Sequence, residues 1–195
     1  KRDKERLLES LRKRVEALQV LYEVSQQSGD APTYEAIVER VLGAISRVLP
    51  YDCGAAILAA DEGRRAMLRL RCASAVSDKG LLWVKEAMLS YQRRQSGRLL
   101  TEDQVITRVA GPHPGGEGAS GFKSSLSVAL LARGVPVGTL ALFSQAEGAY
   151  SAEDGQLLDV LANQTADAIQ SLREAEQEAR MRIERMVESM ADGVI

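Results

Sequence analysis

Histidine and cysteine are scarce in this sequence. One His and two Cys occur among 195 residues, and their spacing matches no metal-ligand pattern. Two cysteines exclude a framework of several disulfides, and such sparing use is typical of a reducing compartment. We therefore predict no metal site and no resident cofactor.

Long apolar runs and an excess of charge are also lacking. No run approaches the roughly 18 residues that a membrane-spanning helix needs, and the formal net charge is only −2. Dedicated nucleic-acid-binding domains are usually strongly basic. The sequence therefore predicts neither a membrane nor a nucleic-acid partner for this fragment, and it favours a cytoplasmic location.

The common catalytic motifs are missing as well. The chain has no P-loop, no Gly-rich dinucleotide turn and no His-Glu-x-x-His. Its single histidine, His113, has no Ser or Cys neighbour in a regular element that would act as a nucleophile. We predict no enzymatic activity for this fragment, while a histidine kinase remains open for the full-length protein.

What is present begins with two apolar runs joined by a turn, Ser125–Ser144. Leu126–Leu131 and Val137–Phe143 have the composition of strands, and Gly134 between them can adopt the positive φ of a tight turn. Pro136 has no N–H to give to a sheet, so it predicts an edge or entry position. This stretch is therefore predicted to be a β-hairpin.

A second hairpin is predicted from Tyr51–Ala60 and Arg65–Ser74. If its turn is symmetric, Cys53 lies directly opposite Cys72. A shift of one residue would destroy this pairing, because successive side chains of a strand point to opposite faces. The pair has two interpretations, inert buried thiols or a redox couple. Two arginines of the returning strand are expected to face water: Arg69 and Arg71.

Three segments have the apolar spacing of helices: 33–49, 77–92 and 152–188. The last begins with Ser151 and Asp154, which is close to a capping box. Short strands are predicted at Gly97–Thr101 and Gln104–Val109 between the second and third helices.

Residues 110–121 contain five Gly and two Pro and predict a surface loop. His113 lies within this loop. We interpret it as a solvated loop histidine, and the alternative is a haem ligand.

Residues 1–28 are also predicted to form a helix, and both this helix and the 152–188 helix carry apolar residues at alternating steps of three and four. Such a stripe requires a partner helix, which predicts a homodimer; the alternative is a helix lying on its own domain. The candidate dimer-seam residues are Leu8, Leu11, Val15, Leu18, Leu161, Ala168, Leu172, Ala175 and Ala179.

One part of the sequence resembles a known family. Pro136–Leu142, then Tyr150–Asp154, then a helix containing Leu157-Leu158 and Leu161–Gln164, are similar to the C-terminal half of GAF domains. The likeness extends over residues 18–173. It implies an α+β fold: a GAF-like antiparallel sheet of five or six strands with long N- and C-terminal helices on one face.

The resemblance also implies a ligand pocket. In GAF domains the helix after the second strand commonly lines the pocket, so Trp83 and Met88 are candidates for ligand contact, with ordinary core packing as the alternative. Small residues on the strands would let a ligand approach the sheet. The candidate pocket residues are Cys53, Ala55, Trp83, Met88, Ser127 and Thr139.

The end of the chain is similar to the opening of PAS domains, which often begin with E-S-M-x-D-G-V-I. The expected organisation is an N-terminal coiled-coil helix at 1–28, a GAF domain at 18–173, a C-terminal signalling helix at 174–190 and the beginning of a truncated PAS domain at 191–195. The chain is therefore interpreted as a piece of a longer signalling protein, with a covalently linked domain on either side.

These resemblances imply a regulatory sensory module that dimerises through its terminal helices. It would relay a signal to a downstream PAS or output domain, in a histidine kinase or a cyclic-di-nucleotide enzyme. Cyclic-nucleotide binding is not favoured, because Gly155 stands where that motif has Glu. The alternatives are a structural dimerisation spacer without a ligand and a haem-based sensor.

Overall fold

A computed structural model of the protein describes residues 33–59, 65–97, 100–112 and 117–192. The predictions for an N-terminal helix at 1–28 and for His113 lie outside the described residues. Within these ranges the helices are α1 (Tyr34–Val48), α2 (Asp78–Ser96) and α3 (Ala152–Asp192). The strands in the same ranges are β1 (Cys53–Leu58), β2 (Ala66–Cys72), β3 (Val105–Ala110), β4 (Ser124–Ala132) and β5 (Val135–Ser144), and a short 3₁₀ turn covers Glu102–Gln104.

The strands form one sheet in the order β3-β2-β1-β5-β4. The pairs β1–β2, β1–β5 and β4–β5 are antiparallel, as expected. The pair β2–β3 is parallel, which corrects the prediction of a purely antiparallel sheet. The reason is the connection: α2 crosses the face of the sheet and returns the chain to the end where β2 began.

One face of the sheet is covered by α1 and α3. Thr33 caps α1 by accepting a hydrogen bond from the Ala36 N–H at 3.1 Å. The capping box of α3 is confirmed, because Asp154 accepts from the Ser151 N–H at 2.9 Å and Ser151 Oγ accepts from the Asp154 N–H at 3.2 Å. The apolar stripes of both helices pack on the sheet in one continuous core.

The other face is covered by α2. Ser77 caps this helix by accepting from the Gly80 N–H, and Gly97 ends it in the left-handed conformation at φ 68°. Because helices cover both faces, every residue of the central strand β1 is buried. This burial explains why β1 is a run of small and apolar residues without polar alternation.

The hairpin predicted over Ser125–Ser144 is confirmed as β4 and β5. Its turn contains Arg133 and Gly134, both at positive φ. Pro136 lies at the start of β5, opposite Leu131 of β4 and beyond the residues that pair with β1, which is the entry position predicted for it.

The hairpin of β1 and β2 is confirmed in its predicted register, with Cys53 directly opposite Cys72. The prediction that Arg69 and Arg71 face water is wrong. Both point toward α1 and bind the carboxylate of Glu39, Arg69 Nε at 2.9 Å. The predicted alternation of buried apolar residues and arginines along β2 is confirmed. The arginine side chains are half-buried because α1 covers them and supplies the carboxylate of Glu39.

The strand expected over 97–101 is absent from its described residues, Gly97, Leu100 and Thr101. The strand expected over 104–109 is confirmed as β3. Ala110 of the predicted 110–121 loop is the last residue of β3. The rest of the described part of this loop has no helix or strand, apart from one bridge between Val76 and Ala119. Ala119 also accepts a hydrogen bond from the Ser77 hydroxyl at 3.0 Å, which attaches the loop to the start of α2.

Candidate functional site

The candidate pocket residues come together between α2 and the sheet. Three rows of side chains cross the strands β1, β5 and β4 on this face. The middle row is Ala55, Ala141 and Ser127, all small. The flanking rows are Cys53, Phe143 and Ser125 on one side and Ile57, Thr139 and Ala129 on the other.

The small middle row runs from the interior of the domain to the edge of the sheet, and the surface along this row is here called the trough. Ala55 and Ala141 are fully buried, whereas Ser127 on the edge strand β4 is exposed. Met88 of α2 is fully buried over this face in the same cluster. Of the six predicted residues, Cys53, Ala55, Met88 and Thr139 are therefore interior, and Ser127 lies at the opening.

A polar group lies inside this otherwise apolar face. Thr139 Oγ1 is 2.8 Å from Gln92 Oε1 and 2.6 Å from Gln95 Oε1. A hydroxyl has one proton, so Thr139 donates to one amide oxygen, and the other amide must turn its NH₂ group toward Thr139. Gln92 is buried and Gln95 is exposed, so hydrogen bonds connect the interior to the rim.

Four aromatic rings stand beside the trough. Trp83 packs on Phe122 and Phe143 with ring centroids 5.6 and 5.7 Å apart, and Tyr91 stacks on Phe143 at 6.3 Å. The Tyr91 hydroxyl lies 3.0 Å from Ser125 Oγ on the edge strand. Trp83 remains 38% exposed, so it lies at the rim, and its contact with a ligand stays a prediction.

Sequence reasoning missed Gln92, Gln95, Tyr91, Phe122 and Phe143. A signal for Gln92 was available, because it follows Met88 by four residues and therefore shares the apolar face of α2. The ring cluster could not be read from the sequence, since its members come from α2, β5 and the loop before β4.

The chemistry of the trough is that of a binding surface. Its polar groups are hydroxyls and amides, which bind by hydrogen bonds and carry no charge. The contact with Cys72 and burial raise the pKa of the Cys53 thiol, which favours its protonated form. Within the described ranges no group of three or more metal-ligating side chains occurs.

The candidate seam residues divide along α3. Leu161 is 2% exposed and packs in the core of its own domain, which corrects its assignment to a surface between two copies. Ala168 and Leu172 are half-buried against the same core. Ala175 and Ala179 are exposed and remain seam candidates, while Leu8, Leu11, Val15 and Leu18 lie outside the described residues.

Comparison with known proteins agrees with this architecture. The family model described as "GAF domain" matches residues 31–170, well over half of the chain. The chain belongs to the GAF domain family. GAF domains are typically regulatory rather than catalytic.

Solved structures of other GAF domains share the fold. The GAF domain of a proposed sensor histidine kinase from Pseudomonas syringae pv. tomato is similar with a TM-score of 0.51 and 19% identity, over 92% of this chain and 97% of that one. The GAF domain of a phosphoenolpyruvate-protein phosphotransferase from Coxiella burnetii is similar with a TM-score of 0.51 and 15% identity, over 84% of this chain and 98% of that one. No curated protein matches the sequence. Among the described residues of this GAF domain, no helix is long and apolar enough to cross a membrane.

Proposed function

We propose that this GAF domain is a sensory module that pairs with a second copy through α3 and passes a signal to a domain that follows it. The observation that carries the proposal is the length of α3. The helix has 41 residues, and its hydrogen bonds to α1, to the turn between β4 and β5 and to the end of β1 involve Glu176, Glu174 and Arg173. Residues 177–192 extend roughly 24 Å further at 1.5 Å per residue.

The part of α3 beyond residue 176 exposes apolar side chains. Ile183 and Val187 are each 61% exposed. Ala175, Ala179 and Ile183 follow one another at steps of four, so they lie along one side of the helix and continue the stripe that packs on the sheet. Exposed apolar residues in such a row favour a partner helix, and a second copy presents the same stripe.

The direction of α1 supports pairing at this end of the molecule. Tyr34, at the start of α1, donates a hydrogen bond to Glu176 at 3.0 Å. At the other end, Tyr150 before α3 donates to the carbonyl of Pro50 after α1. The two helices are therefore antiparallel, and the chain enters α1 where α3 leaves the sheet. The predicted N-terminal seam (Leu8, Leu11, Val15 and Leu18) precedes this point.

The sensing step belongs to the trough between α2 and the sheet. A ligand there shifts the module only if it binds one arrangement of the helices more tightly than the other. The proposed receiver is a PAS or output domain of a histidine kinase or a cyclic-di-nucleotide enzyme. This rests on the PAS-like residues 183–195 and on the sensor-kinase origin of one structural relative.

A pair of variants tests the proposed dimer. Ile183 and Met181 differ by about 200° around the helix, so they lie on opposite sides. Ile183→Glu should convert dimers to monomers in multi-angle light scattering, because it places a charge in the apolar seam. Met181→Glu, the matched control, should leave dimers intact. Dimers that survive Ile183→Glu but not Met181→Glu would move the seam to the other side, and monomeric wild-type protein would remove it.

A second candidate function is a dimerisation spacer without a ligand. It is favoured by the packing of the α2 face, where Met88, Thr139 and Phe143 are fully buried by one another and their neighbours. Thermal unfolding in the presence of a metabolite panel separates the two functions. A compound that raises the Tm in a concentration-dependent way supports the sensor, and no shift across the panel supports the spacer.

A further inference from the structure

Strand ends and α3 meet at one small group of residues, here called the exit junction: Ala59, Arg133, Arg173 and Glu174. Arg173 donates to the carbonyl of Ala59 at 2.7 Å. Glu174 forms an ion pair with Arg133 at 3.1 Å. Ala59 follows the last residue of β1, and Arg133 is in the turn between β4 and β5. Both contacts therefore join α3 to strands, and they lie immediately before the part of α3 that leaves the sheet.

The same strands carry the trough on their other face. Ala55 of β1 and Ser127 of β4 belong to its small middle row. Ala59 lies four residues after Ala55, and Arg133 lies six residues after Ser127. β1 is hydrogen-bonded to a neighbour on both sides, so a displacement in the trough is carried along it to the exit junction. β4 is the edge strand, with one neighbour and an irregularity between Leu130 and Leu131, so the route along it is less rigid.

The two contacts of the exit junction are not equal. The Arg173 guanidinium is half-buried, and it also lies over the Tyr34 ring at 6.0 Å. The Arg133–Glu174 pair is more open, with side-chain exposures of 75% and 39%. A charge-assisted bond to a half-buried carbonyl is stronger than an exposed ion pair, which contributes little.

We propose that Arg173 is the positioning residue through which the sheet sets the order and direction of the projecting half of α3. A ligand in the trough shifts the ends of β1 and β4, so the Ala59 carbonyl moves relative to Arg173. The hydrogen bonds of the first helical turns beyond Leu172 then become more or less stable. The inference rests on the proposed sensory function but concerns events within one chain. It assigns the regulatory contact to Arg173 and a minor role to Arg133.

Hydrogen exchange of the full 195-residue chain tests the positioning role. Arg173→Met keeps the aliphatic stem and removes the bond to Ala59, so the amides of residues 173–187 should exchange about tenfold faster. Arg180→Met is the matched control, because Arg180 binds Glu184 on the same helix at 3.1 Å. It should change exchange in this segment by less than about twofold. Equal effects of the two variants would overturn the proposal.

A double-mutant cycle tests the coupling itself. Ser127→Leu fills the open end of the trough and stands in for a ligand. It should change exchange in residues 173–187 when Arg173 is present and leave it unchanged in the Arg173→Met background. An effect of the same size in both backgrounds, or none in either, contradicts the proposal. Unchanged protection of residues 158–169 shows that each variant is folded.

The cycle is run in the Ile183→Glu background as well. If Ile183→Glu does not alter the association state while the cycle still shows coupling, the proposed dimer fails and the role of Arg173 stands. If Ile183→Glu gives monomers while the cycle shows no coupling, the dimer stands and the role of Arg173 fails.

Discussion

The two faces of the sheet are built from different kinds of side chain. Toward α1 and α3, the strands present Leu140, Leu142, Val128 and Leu130. Aliphatic residues of the two helices pack against them. Toward α2, the same strands present Ala55, Ala141 and Thr139 with polar and aromatic neighbours. The first face has the volume and uniformity of a core that sets the fold. The second has small residues and a hydrogen-bonded polar group, which are features of a site that can adapt to an occupant.

The largest effect on stability is expected when one buried side chain is removed from each face. Leu142→Ala should lower the free energy of unfolding by about 3–5 kcal/mol, because the aliphatic core around it cannot close the cavity. Met88→Ala should lower the same free energy by about 2 kcal/mol, since the neighbouring trough side chains Ala55 and Ala141 are small and α2 can shift over them. Urea unfolding of both variants gives the comparison. Equal losses would show that the α2 face is as rigid as the other.

The next test concerns how closely α2 approaches the loop after β3. A Cβ on Gly80 would lie 2.1 Å from the Ala119 carbonyl oxygen, which is far inside contact distance. Gly80→Ala should therefore displace the start of α2 and cost about 2–3 kcal/mol in the same measurement.

Gly155→Ala is the matched control for that substitution. Its Cβ would meet only Leu126 at an ordinary 3.7 Å, and Ala is the better helix former, so it should stabilise by about 0.5 kcal/mol. A Gly80→Ala variant as stable as wild type would show that the loop is not fastened to α2.

A third test addresses the polar group in the trough. Thr139→Val keeps the shape but leaves the amides of Gln92 and Gln95 without their shared hydroxyl. The loss should be about 1–2 kcal/mol, mainly because Gln92 is only 3% exposed and cannot turn to water. Thr139→Ser keeps the hydroxyl and should restore most of that loss. A neutral Thr139→Val variant would mean that the group does not contribute to stability.

The smallest expected effect comes from Asp52, which belongs to neither face. Burial pushes its pKa upward, but hydrogen bonds from the Gln145 N–H and the Ser74 and Ser144 hydroxyls outweigh it, so the pKa lies below its usual range. The ionised form is favoured in the folded state. The resulting stability is present above the unfolded pKa of about 4 and is lost as the pH falls through the folded value.

Asp52→Asn measures that contribution. The variant should be less stable than wild type by at most about 1 kcal/mol near pH 6, and the difference should shrink below pH 4. Urea titrations at several pH values provide the readout. A difference that is constant from pH 3 to 6 would rule out the ionised carboxylate as its source.

Much of the fold was predictable because its signals are local. The capping box of Ser151 and Asp154, the turn at Gly134 and the opposition of Cys53 and Cys72 each depend on residues that are close in sequence or related by a single turn. The parallel pairing of β3 and the salt bridges of Arg69 and Arg71 to Glu39 were not predictable, because each depends on an element that arrives from elsewhere in the chain.

The candidate site was predictable only in part. Small residues on strands suggested where a ligand would fit, and the structure brings Ala55, Ser127 and Thr139 to the same face. The sequence could not show that Leu161 is buried in the core while Ala179 is exposed, because the same apolar spacing suits packing on a sheet and packing on a partner helix equally well.

The amino-acid sequence by itself determined the helices, the two hairpins and the membership of a regulatory family, since periodicity, caps and turn residues act over a few positions. Only the tertiary structure decided which side chains meet across the trough and where α3 leaves the sheet. Those arrangements depend on packing between segments far apart in the chain, such as Arg173 on the carbonyl of Ala59, and no local pattern records which of several compatible surfaces an apolar stripe will cover.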